Sequence, residues 1–156
     1  MENQKIEKPV SMFVIFARFF SIVAKHLEQK YGQEGLDLLA DCVKEWGFKR
    51  GQDIAARAKA QGKDNTLDQY LCNYDMERSE LFGYITDYGK EEIHQEFTRC
   101  VFAQTWMDAD EEKYGRIYCE NIDPAIASGY NKKLQCIHDK IMYKDKHCTF
   151  CFKMKK

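Results

Sequence analysis

Seven cysteines stand at positions 42, 72, 100, 119, 136, 148 and 151 of the 156-residue chain. A cysteine does chemistry as its thiolate, attacking an electrophilic carbon or ligating a metal. Cys119 and Asp123 are one pair to consider. Four residues apart, they share a face if the segment is one helix, and both can point into one pocket. A carboxylate that near raises a thiol's pKa rather than lowering it. Asp123 is therefore cast as a general acid/base or as the binder of a cationic substrate group. Asp123-Pro124 has a second reading, a helix N-cap followed by the first helical residue. At the level of sequence both stand.

Cys100 falls on a strand face with His94, Glu96 and Thr98. That face is either the solvated side of a sheet or, under a covering helix, a pocket wall in which His94 meets substrate. His94 and Cys100 are six residues apart, about 20 Å along a strand, too far for a Cys–His dyad. The pairing expected for Cys100 is with Cys119. Cys148 and Cys151 face opposite sides of a strand, unlike ligand pairs on a tight turn. Cys100, Cys119 and Asp123 with a histidine would suit zinc chemically, but none of their spacings is a recognised metal signature. No metal and no cofactor is expected. Cys42 and Cys72 sit in helical patterns and are expected in the core. Arg57 and Arg50, on one helix, are candidates for gripping a carboxylate bidentately, or are solvated. Asn131, after Gly129-Tyr130, either binds substrate or holds a turn.

The elements that must position these residues can be read from periodicity. A helix with Pro9 in its first turn runs through the Phe-rich segment to Tyr31-Gly32. A second starts near Gln33 and ends near Gly62, with Leu36, Ala40, Val43, Gly47, Gly51, Ile54 and Ala58 on one face. Two glycines on that face allow close backbone approach, expected against the first helix. Asp64 or Asn65 can cap a short third helix carrying Leu67, Leu71 and Tyr74. Alternation over residues 81 to 101, with turn chemistry at Asp87-Tyr88-Gly89-Lys90, reads as a hairpin. Ile93, Gln95, Phe97 and Arg99 share one face of it. A helical stretch follows from about Ala103 to Gly129, interrupted or kinked near Pro124. A second hairpin spans Leu134 to Met154, turning near Lys144-Asp145. The fold class is α+β: N-terminal helices packed on a four-stranded antiparallel sheet made of two hairpins, with a helix between the hairpins.

Composition bounds the partners. The 24 Lys and Arg against 25 Asp and Glu give a formal charge of −1, with no electrostatic call for nucleic acid or an anionic membrane. An apolar fraction of 44% fills one core at this length, so residues 1–156 are expected to form a single domain, with 1–32 an N-terminal helix and 33–152 the remaining core. An odd cysteine count without a secretory leader points to a reducing cytoplasm. Val10 to Ala24 is apolar but short, and Arg18 interrupts it, where a membrane span needs about 20 apolar residues. It reads as a core helix or as an interface joining copies of the chain.

Longer stretches carry a resemblance. YGQEGLDLLADCVKEWGFKRGQDIAARAKAQG resembles the N-terminal helical signature of the 2-amino-thiazoline-4-carboxylate hydrolase family. GRIYCENIDPAIASGYNKKLQC, followed by KDKHCTFCF, is similar to its C-terminal signature. There a Tyr-Cys pair precedes an Asp four residues on, then Gly-aromatic-Asn, then an acidic turn into Cys-x-Phe-x-Phe. Cys100 also matches a cysteine common in these proteins. The likeness covers roughly residues 30 to 152. It departs at Lys144-Asp145 where Gly-Asp is usual, at Lys132 where many relatives have Pro, and at Pro124. The resemblance implies hydrolytic opening of a cyclic amidine or thiazoline on a small carboxylate substrate, at a C–N or C–S bond. Cys119, Asp123 and Cys100 would be its catalytic residues, and Asn131 a substrate contact beside Arg57 and His94. A fold does not fix a function. The alternative is a non-catalytic small-molecule binding domain, since an aromatic-rich, helix-covered sheet can hold an apolar ligand.

Overall fold

The computed structural model describes residues 9–77 and 79–156; the first eight residues of the expected N-terminal element lie outside it. Helix α1 (Met12–Tyr31) begins after Ser11, whose hydroxyl accepts the Val14 amide at 3.3 Å. Pro9 precedes the helix rather than opening it. A serine oxygen satisfies an otherwise unpaired N–H, which a proline cannot do. Helix α1 buries Ala17, Phe20, Ser21 and Ala24, and leaves Met12, Ile15, Phe19 and Ile22 exposed. Among the described residues, no helix is long and apolar enough to cross a membrane. Gly32, at φ +62°, makes the sharp turn into α2 (Gln33–Ala60).

The glycine face of α2 packs against α5 (Glu112–Tyr130), not against α1 as expected from sequence. A Cβ on Gly47 would stand 2.8 Å from both the Ile122 carbonyl oxygen and the Ala125 Cβ. One on Gly51 would overlap the backbone of Ile126 and Tyr130, and Gly129 presses in the same way on the backbone of Phe48. The two backbones touch over several turns. Helix α1 meets the start of α2, where Gly35 abuts the Leu27 carbonyl. The pattern located the close face, but it carries no information on which helix fills it.

After α3 (Leu67–Tyr70) and a 3₁₀ turn (Leu71–Asn73), the chain enters strands β1 (Phe82–Tyr88) and β2 (Glu92–Cys100). Two helices follow, α4 (Val101–Asp108) and α5, where one was expected. The break falls at Asp110, whose φ is +54°, and Pro124 lies inside α5. Proline removes one backbone bond from the helix, and the α2 contact on either side holds it straight enough to continue. Strand β3 (Leu134–Lys140), the short helix α6 (Met142–Asp145) and β4 (Cys148–Met154) complete the chain. The sheet is antiparallel, in the order β1-β2-β4-β3. The α+β layout expected from sequence is the observed one.

One face of the sheet lies under the helices and the other is open. Ile93, Gln95, Leu134, Cys136, Cys148 and Phe152 are buried beneath the helical layer, whereas His94, Glu96, Ile85 and Asp87 are exposed. Between the sheet and α5, Phe13, Phe16 and Phe20 of α1 join Phe82, Phe102, Trp106 and Tyr118 in an edge-to-face aromatic cluster. The Trp106 indole N–H donates to the Ala17 carbonyl at 3.0 Å.

Candidate functional site

A cavity of about 90 Å³ lies between the covered sheet face and α5. Drug-sized ligands occupy pockets of roughly 300 Å³ and more, so this cavity suits a small molecule. Its walls are mostly apolar. Phe82, Phe97, Phe150 and Phe152 come from the strands, Phe102 from α4, and Ile122 from α5. Set into them are Arg50, Gln95, Cys100, Cys119, Asp123, His138, Tyr143 and Cys148.

Helix α5 brings Cys119 and Asp123 to one wall, as their spacing of four dictates. Asp123 is in the interior of that helix, so the capping reading is wrong. Tyr74 donates its hydroxyl to Asp123 Oδ1 at 3.4 Å. The Cys119 sulfur lies 3.5 Å from the Tyr143 hydroxyl of α6.

Cys100 reaches the same cavity through a β-bulge. Gly83 pairs with Arg99 and Tyr84 with Phe97, which leaves Thr98 as an extra residue on β2. The extra residue inverts the alternation. Up to Phe97 the odd positions face the helices; beyond Thr98 it is Cys100, opposite buried Phe82, that does so. The sequence reading, which lacked the bulge, put Cys100 on the side of His94 and Arg99 on the side of Ile93. Arg99 and His94 are both exposed.

Electrostatics sets the state of the thiols. Burial pushes Cys119 well above the ordinary thiol range; Cys100 adds to this, the Tyr143 hydrogen bond offsets part of it, and Cys148 and Asp123 raise it further. Burial also raises Cys100, and pushes Cys148 up to about 12. At neutral pH these are protonated thiols. An accessible thiolate at Cys119, which a nucleophile requires, is not what this environment provides. Cys42 and Cys72, expected in the core, are exposed, because each falls on the solvent side of its helix.

Arg50 closes one end of the cavity. Its Nε and Nη2 donate to the two carboxylate oxygens of Asp75 at 2.8 and 2.7 Å, and it lies over the Tyr74 ring. Burial pulls its pKa down, but the Asp75 hydrogen bond and nearby charges hold the guanidinium firmly ionised. Arg50 is 8% exposed, which is tolerable only because it is paired.

His138 on β3 was not singled out by sequence. Its Nδ1 donates to the Cys119 carbonyl at 3.2 Å, since a carbonyl oxygen can only accept. The ring stacks on Phe150 at 4.2 Å. Its Nε2 is buried and has no hydrogen-bond partner among the described residues. A histidine at the end of an alternating strand gives no sequence signal of this; only the fold brings α5 beneath it.

A sequence model of the L-2-amino-thiazoline-4-carboxylic acid hydrolase family matches residues 12–152. The chain belongs to that family. No curated protein and no solved structure matches it.

Of the residues picked out in this family member by sequence, Cys100, Cys119 and Asp123 line one cavity. Arg57, Asn131 and His94 do not line it. Arg57 is exposed on α2, two turns beyond Arg50. Asn131 ends α5 and holds the turn into β3: it donates to the Asn65 carbonyl at 2.7 Å and accepts the Lys133 amide at 2.9 Å. His94 sits on the opposite side of the sheet, bonded to Glu92 at 2.8 Å.

Proposed function

We propose that this family member is a hydrolase that opens a cyclic amidine of the thiazoline type, using water activated by Asp123 rather than a cysteine nucleophile. The observation that carries the reading is a carboxylate, Asp123, lining a small, mostly apolar cavity beside the neutral thiols of Cys100 and Cys119. In such surroundings a carboxylate is both the natural partner of an amidinium and an effective proton acceptor.

In a 2-amino-thiazoline carboxylate, the carbon between nitrogen and sulfur is the electrophile. Asp123 takes a proton from water as its oxygen bonds to that carbon, and the carbon–nitrogen π electrons move onto nitrogen. The tetrahedral adduct collapses by breaking the ring C–N or C–S bond. The departing heteroatom receives the proton held by Asp123, the hydroxyl proton of the adduct passes to the nitrogen that took the π electrons, and the net change is addition of one water to give a carbamoyl cysteine. Cys119 and Tyr143 are neutral donors placed to orient the adduct. Arg50, with Nη1 not taken by Asp75, is the cation suited to the substrate carboxylate, in place of the exposed Arg57. The bare Nε2 of His138 is a further polar atom available to hydrogen-bond the substrate.

The aromatic lining also favours a second reading, a pocket that binds a small apolar ligand without turnover. One experiment separates the two. Purified protein is incubated with 2-amino-thiazoline-4-carboxylate and the mixture followed by mass spectrometry. Appearance of carbamoyl cysteine is the expected result; saturable binding with unchanged substrate would replace the hydrolase reading with the binding one.

A further inference from the structure

The open face of the sheet carries a second cluster that the pocket chemistry does not use. Glu92 and His94 are two apart on β2, so their side chains leave the same face. Cys151 of β4 is the register partner of His94 and stands beside it on that face. His94 Nε2 is 2.8 Å from Glu92 Oε1, and the Cys151 sulfur is 3.6 Å from Glu92 Oε2. The three ligand atoms all lie within 4.8 Å of one another. Among the described residues, this is the one such group of three or more histidine, cysteine and acidic ligands.

We propose that Glu92, His94 and Cys151 form a binding site for a zinc-class divalent cation, joining β2 to β4 on the face opposite the pocket. Zinc bonds of about 2.0–2.3 Å in a tetrahedron place neighbouring ligand atoms about 3.3–3.8 Å apart. The separations already present are close to that edge, so small side-chain rotations suffice. The donor set of one imidazole, one carboxylate and one sulfur is the mixture that zinc and its neighbours prefer over magnesium or calcium. Asp87, the β1 partner of His94, adds negative potential one strand away. Lys153, opposite Glu92, is the one nearby cation in these pairings and competes for the carboxylate. A shallow recess bordered by Ile85, Ile137 and Thr149 adjoins His94 and Cys151. It leaves room for water as the fourth ligand.

Binding replaces the Cys151 S–H bond with a metal–sulfur bond and releases the proton to solvent; no electron is transferred. The site is independent of the hydrolase reading, since none of its three residues lines the pocket.

Cobalt(II) titration of the full chain tests it, because a cobalt–thiolate bond gives a charge-transfer band in the near ultraviolet and tetrahedral geometry gives intense visible bands. The wild type should saturate at one equivalent, and zinc should displace the cobalt. Cys151→Ser and His94→Ala should each abolish the bands. Cys42→Ser and Cys72→Ser, which remove exposed thiols elsewhere, should leave them intact. As a second readout, zinc should raise the thermal midpoint of the wild type and not that of His94→Ala. Absent bands in the wild type, or bands that survive in Cys151→Ser or His94→Ala, would overturn the proposal.

Discussion

The two faces of the sheet hold the same residue type in different surroundings. On the covered face, Cys100, Cys119 and Cys148 surround a cavity and are kept protonated by burial and by one another. On the open face, Cys151 stands half-exposed beside a carboxylate and an imidazole. A cysteine's type and spacing therefore say little about its chemistry until its dielectric surroundings are known. Thiols in a low-dielectric wall serve as small, neutral, weakly polar groups. Ionic contacts follow the same division. Arg50–Asp75 is buried and bidentate, whereas Glu92–His94 is bathed in solvent.

Removing one partner from each ion pair should expose that contrast most sharply. Asp75→Ala leaves the Arg50 guanidinium buried without its counter-ion and should cost about 3–5 kcal/mol in chemical denaturation. A loss as small as that of an exposed pair would mean that Arg50 finds water. Alkaline pH should give an intermediate effect. The native state holds thiol protons that the unfolded chain releases above about pH 8.5. Unfolding then binds fewer protons than folding retains, so stability falls as pH rises. The decline should be about 1.4 kcal/mol per pH unit for each buried thiol, fully absent below neutral pH. A thermal midpoint flat from pH 8 to 10 would contradict the protonation of the inner face. The smallest change is expected from Glu92→Gln, which breaks a solvated contact; without added metal its midpoint should match the wild type.

Much of the fold was legible because periodicity reports burial directly. The α1–α2 turn at Gly32, both hairpins and the glycine face of α2 followed from spacing alone. What was not legible depends on partners distant in sequence. The α2 glycines name a close contact but not α5 as its occupant. Pro124 signals a break, yet packing carries the helix through it, and the real break at Asp110 rests on a backbone angle that no motif announced. At the site, Cys119 and Asp123 share a helix face and were found together. Cys100 reached the same wall by a bulge at Thr98, which gave no sequence signal. Arg57 and Arg50 are alike in sequence, and only the fold, which brings Asp75 and the Tyr74 ring to Arg50, sets them apart. His138 was invisible for the same reason.

The central claim is that catalysis runs through Asp123 and water, with Cys119 a neutral wall. Turnover of 2-amino-thiazoline-4-carboxylate by Cys119→Ser and Asp123→Asn, measured side by side at saturating substrate, tests it most directly. Asp123→Asn should lose about 10²–10⁴-fold in kcat, the range for a general acid/base, while Cys119→Ser keeps most of its turnover. Loss of turnover in Cys119→Ser with activity retained in Asp123→Asn would contradict the account and return the thiol to the role of nucleophile.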